Sequence, residues 1–120
     1  MIVIGFSDKP EEIWCVAGWA FRQLRDDVLS QYPQDSEMAE EFALAETQGG
    51  LSVDLLESEL AARLTDALQR VARGILSGAI RSGIHDQAYG NAQTVEEYRK
   101  GLEELLTVLS IAKPNQPEKE

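Results

Sequence analysis

The chain has a single cysteine and a single histidine among 120 residues. One thiol, Cys15, excludes an intrachain disulfide and fits a reducing compartment. One imidazole, His85, excludes the paired Glu-x-x-His motifs of di-iron bundles and leaves a zinc site short of ligands. No run of about 18 apolar residues is present, so no membrane-spanning helix is expected. Residues 1–6, MIVIGF, have no basic residue ahead of them and do not read as a secretory signal, so a cytoplasmic location is expected. Basic residues are also scarce: 11 Lys and Arg stand against 21 Asp and Glu, a net charge of −10. Nucleic acids and anionic membranes are bound by clustered cations that neutralise phosphate, so neither is an expected partner.

What is present is helical periodicity. In residues 54–80, Leu60, Leu64, Leu68, Val71, Ile75 and Ala79 recur at steps of three or four and share one helix face. Glu59–Arg63 and Asp66–Arg70 are (i, i+4) pairs on the opposite face with the acid first, the favourable order. Three further stripes accompany it. Ile13, Ala17, Ala20, Leu24 and Val28 predict a helix over 9–32, opened by an Asp8/Glu11 capping box with Pro10 in the first turn and ended by Tyr32-Pro33. Met38, Phe42 and Ala45 predict one over 36–48, capped by Asp35 or Ser36 and stopped by Gly49-Gly50. Tyr98, Leu102, Leu105 and Leu109 predict one over 95–112, with Thr94 and Glu97 of TVEE as its capping box. The third helix begins at Asp54 with Glu57, or at Ser58. It ends near Ser77 with Gly78 as terminal glycine, or continues past Ile80.

The expectation is an all-α fold, a compact bundle of about four main helices with a short extended N-terminal segment. One domain covers 1–112, and 113–120 is a polar flexible tail. Trp14, Trp19 and Phe21 are expected in the core, and Cys15 as a buried, inert thiol.

Charge is unevenly spread. Residues 35–59 carry eight acids and no base, most of the net excess in one short block. Such a patch steers a basic protein toward it by long-range attraction. The expected function is therefore a non-enzymatic interaction domain with a basic protein partner. Glu37, Glu40, Glu41, Glu46, Asp54 and Glu57 are its candidate contact residues, and self-association is the other mode. In size, acidity and helix content the chain is similar to bacterial immunity proteins, which implies inhibition of a toxin-like partner.

An enzymatic alternative rests on Glu37-x-x-Glu40 and Asp54-x-x-Glu57, four carboxylates that would hold Mg²⁺ if they converged. These paired acids resemble the all-α nucleoside-triphosphate pyrophosphohydrolases of the MazG type, which implies Mg²⁺-dependent hydrolysis of a phosphorylated small molecule. The second Glu-x-x-Asp pair of that family is absent. A third candidate group is His85, Asp86 and Tyr89 in the polar stretch 82–93, where a carboxylate could orient a general base. No G-x-S-x-G motif accompanies it.

Overall fold

The apolar stripe of residues 54–80 folds as the central helix. A computed structural model describes residues 1–88 and 91–112 of the chain. In it, α3 (Ser58–Ser77) buries Leu60, Leu64, Leu68, Val71 and Ile75. Its N-cap is Glu57, whose side chain accepts from the Leu60 N–H at 3.2 Å. Gly78 ends it with φ of 87°, the left-handed conformation that glycine takes without a Cβ clash. The earlier of the two expected endings is thus the one found.

Around α3 stand α1 (Gly18–Gln31), α2 (Ser36–Gln48) and α4 (Ala92–Ala112). Asp35 caps α2 by accepting from the Met38 N–H at 3.1 Å. The α4 start differs from expectation. Asn91, not Thr94, is the capping side chain, with its Oδ1 2.9 Å from the Thr94 N–H. Thr94 lies inside the first turn because the helix begins two residues earlier. The tail expected over 113–120 lies outside the described residues.

The larger correction is a sheet. Residues 1–6 do not lie as an unpaired lead-in, and 9–17 are not α-helical. β1 (Ile2–Gly5) pairs antiparallel with β2 (Ile13–Val16) and parallel with β3 (Gly50–Ser52), giving the order β2-β1-β3. A short 3-10 turn, Pro10–Glu12, connects the first two strands and has no side-chain cap, so the Asp8/Glu11 box does not form. Ile13-Trp14-Cys15-Val16 is β-branched and aromatic, and its burial alternates: Trp14 and Val16 point inward, Cys15 outward. The fold is therefore mostly helical with a small three-stranded sheet.

One sheet face, with Ile2, Ile4, Trp14, Val16 and Leu51, joins the helical core. The Trp14 indole N–H donates to the Gly101 carbonyl of α4 at 2.9 Å. Phe21 of α1 meets Phe42 of α2 with ring centroids 5.8 Å apart. On the other sheet face Cys15, expected inside, is exposed. No helix among the described residues is long and apolar enough to cross a membrane.

Gly78 offers a clean test of its conformation, because an added Cβ there would meet no atom within 4 Å. Gly78→Ala should cost about 1 kcal/mol through the left-handed backbone alone, and Gly78→Asn distinctly less. Urea unfolding of the two variants checks this. Equal stability of Gly78→Ala and the parent would contradict the positive φ.

Candidate functional site

The eight acids of 35–59 divide into four whose side chains are engaged and four without a partner among the described residues. Arg63 of α3 reaches across to α2, with its Nε and Nη2 each 3.3 Å from a different Asp35 oxygen and Nη2 2.8 Å from Glu37 Oε1. The expected Glu59–Arg63 pair is not the one formed, although Asp66–Arg70 is, at 3.5 Å. Glu46 is held by Arg25 at 2.6 Å and by Arg22 at 3.5 Å. Glu57 is turned back as the α3 cap. These contacts use arginines from outside the block to compensate part of its charge. The carboxylates of Glu40, Glu41, Asp54 and Glu59 make no hydrogen bond or ion pair with the described residues.

Asp35 carries the most demanding position among the engaged four. The Met38 N–H, followed by the Arg63 guanidinium, holds its carboxyl below the ordinary carboxylate range. A carboxyl group with a depressed native pKa stabilises the fold above its unfolded pKa. That contribution is lost as pH falls through the native value. Asp35→Ala should cost about 1 kcal/mol at neutral pH, and the difference from the parent should shrink in acid. Urea titrations at neutral and acidic pH would expose a role for Asp35 other than capping if the gap stayed constant.

The four carboxylates proposed for Mg²⁺ are not gathered. Glu37 faces Arg63 and Glu57 faces the α3 N-terminus, while Glu40 and Asp54 are exposed without either. Among the described residues no group of three or more His, Cys, Asp or Glu side chains could hold a metal ion. The geometry therefore lends the hydrolase alternative no support.

Beside Glu41 lies a hollow lined largely by leucines. Val53–Leu55 forms a 3-10 turn that buries Val53 and turns Leu55 outward. Leu55 is 79% exposed and Leu44 of α2 46%. A cavity of about 220 Å³ opens between α2 and the β3 segment, lined by Glu41, Leu44, Ala45, Gln48, Leu51, Leu55 and Leu56 among others. The stripe reading of α2 places Glu41 on its outer side and Leu44 beside its apolar face. The exposure of Leu55 depends on a turn that periodicity does not reveal.

His85 does not form an oriented base. It is exposed on the 3-10 turn Gly83–Asp86, and its neighbour Asp86 faces Arg81, with oxygens 2.8 and 3.0 Å from the guanidinium nitrogens. That ion pair lowers the Asp86 pKa and raises that of Arg81. Tyr89 lies outside the described residues.

A buried carboxylate close by escaped the sequence reading. Asp27 of α1 is 4% exposed and takes four donors. Its Oδ1 accepts from Gln23 Nε2 at 3.0 Å and from the Gly83 N–H at 2.9 Å, and its Oδ2 from the Ser82 hydroxyl at 2.5 Å and the Tyr98 hydroxyl at 2.7 Å. Ser82 in turn accepts from the Ile84 N–H at 3.0 Å. The group ties the segment after α3 to both α1 and α4. Burial, and then the charge of Asp27, push the Tyr98 hydroxyl pKa upward. The available signal was positional: Gln23 and Asp27 fall on the same α1 face as Ala20, Leu24 and Val28, where polar residues need partners.

The chain matches no protein-family model, no curated protein and no solved structure.

Proposed function

We propose that this chain is a non-enzymatic, cytoplasmic protein-binding domain that captures a basic protein through the surface around Glu40, Glu41 and Asp54. Inhibition of that protein, as immunity-type proteins inhibit theirs, is the biological role this chemistry suits. The observation that carries the reading is Leu55, a large apolar side chain 79% exposed beside Asp54 and on the same hollow as Glu41, two carboxylates without a partner among the described residues. Solvent-facing leucines at the mouth of a hollow supply affinity when covered, and unpaired acids at the rim supply attraction and register. Glu37, Glu46 and Glu57 contribute by holding the frame of α2 and α3 through Arg63, Arg22, Arg25 and the α3 cap. With a net charge of −10, two copies meeting through this face would repel, which favours a basic partner over self-association.

Affinity capture from the native cell tests the reading when parent and variant are run side by side. The parent should retain a basic protein that elutes as ionic strength rises toward about 1 M, where screening extends to roughly 3 Å. Leu55→Asp, and separately Glu40→Lys with Glu41→Lys, should each lose it. Recovery of the same protein by all three forms, or retention unaffected by salt, would refute the acidic-face reading.

A further inference from the structure

The hollow beside Leu55 has one wall made of strand backbone whose open side no other described residue pairs. Among the described residues β3 is an edge strand that pairs only with β1, in the register Val3↔Gly50, Ile4↔Leu51, Gly5↔Ser52. The Val3 N–H donates to the Gly49 carbonyl at 3.3 Å. In a parallel ladder with that bond, Leu51 turns its own N–H and C=O toward β1, and Gly50 and Ser52 turn theirs to the open side. Neither residue has a backbone partner there among the described residues. Gly50, Leu51 and Ser52 all line the hollow, and α2 forms its opposite wall.

A groove with a free strand edge on one side and a helix on the other accepts an extended peptide as an additional strand. Backbone hydrogen bonds then hold the peptide, and alternate side chains read the walls. Here the walls state the chemistry. Leu44, Leu55 and Leu56 accept an apolar side chain, and Glu41 at the rim, with Asp54 beside Leu55, matches a Lys or Arg one residue away. Resting on the reading above, we propose that the partner binds through an extended basic segment with alternating apolar residues, which adds a fourth strand to the open edge of β3.

Three synthetic peptides test this on the full chain: acetyl-Lys-Val-Lys-Leu-Lys-Val-Lys amide, the same sequence N-methylated at alternate residues, and its glutamate counterpart. Binding is read from amide spectra and hydrogen exchange. The basic peptide should bind saturably below about 1 mM and protect the Gly50 and Ser52 amides at least about tenfold. N-methylation, which blocks backbone pairing but keeps charge and side chains, should weaken binding about tenfold, and Leu55→Asp should abolish it. Equal binding of the N-methylated peptide, or binding without protection at Gly50 and Ser52, overturns strand addition while leaving the acidic face intact. Equal binding of the glutamate peptide overturns the acidic face itself. Absence of saturable binding by the basic peptide overturns the groove as an extended-segment site, whatever folded partner the surface captures.

Discussion

Replacing Asp27 with alanine should lower stability by about 4 kcal/mol, and replacing it with asparagine by only about 1–2 kcal/mol. The alanine variant strands four donors at once: the Gln23 amide, the Gly83 N–H and the hydroxyls of Ser82 and Tyr98. Each unsatisfied buried group costs about 1–3 kcal/mol, although the costs are not additive, because the hydroxyls can rotate and water can enter the gap. Asparagine keeps the shape and one acceptor oxygen. Its amide N–H₂ replaces an oxygen that accepted two hydroxyls, and those hydroxyls can reverse to accept in turn. The asparagine variant also relieves the burial of a carboxylate whose partners among the described residues are all neutral donors. For a domain whose stability is about 5–15 kcal/mol, the alanine change is close to unfolding. Urea denaturation reads both values. An Asp27→Ala cost below about 1 kcal/mol would show that the network does not hold the segment after α3.

The same network gives alkaline behaviour a definite sign. Burial raises the native Tyr98 pKa above its ordinary 10.0. Above pH 10.0 the unfolded tyrosine loses its proton while the native one keeps it, so unfolding releases a proton and stability falls as pH rises. Below that pH the contribution is complete. Tyr98 should show tyrosinate absorption only as the protein unfolds, and Tyr98→Phe should flatten the alkaline slope at a cost of about 1 kcal/mol near neutrality.

The helices were legible because each buries a stripe several turns long. Leu60 to Ile75 and Tyr98 to Leu109 repeat the period often enough to exclude a strand. The sheet was not legible, because its strands are three or four residues long. Over so short a span Ile13 and Trp14 also satisfy the helical stripe that runs on through Ala17, Ala20 and Leu24. β1 and β3 are also far apart in sequence, so their pairing is a tertiary event with no local signal. The acidic block was legible as charge density and not as geometry. Its compensation comes from Arg22, Arg25 and Arg63, on helices whose approach to α2 only the fold determines. The hollow and the free strand edge followed from the sheet, and so were hidden with it.

Trp14 decides whether that sheet is integral to the core. It is 2% exposed, it lies on β2 opposite Ile4, and its indole reaches Gly101 of α4. Trp14→Ala should cost about 4 kcal/mol, the range for removing a large aromatic from a packed interior. Trp14→Phe should cost far less, about 1–2 kcal/mol, because the Gly101 carbonyl lies within α4 and retains its helical hydrogen bond. The cost is thus mostly packing, and its structural consequence is specific. With the wedge gone, β2 loses its attachment to α4, and the amides of β1 and β2 should exchange faster than those of α3, whose stripe does not depend on it. If instead residues 13–16 packed as the first turns of a helix, the variant would loosen α1 and leave residues 2–5 unchanged. Hydrogen exchange therefore separates the two architectures even where their stability changes are alike. It also tests the foundation of the binding groove, since β3 is held in register by β1, the strand that pairs on its other side with the Trp14-anchored β2.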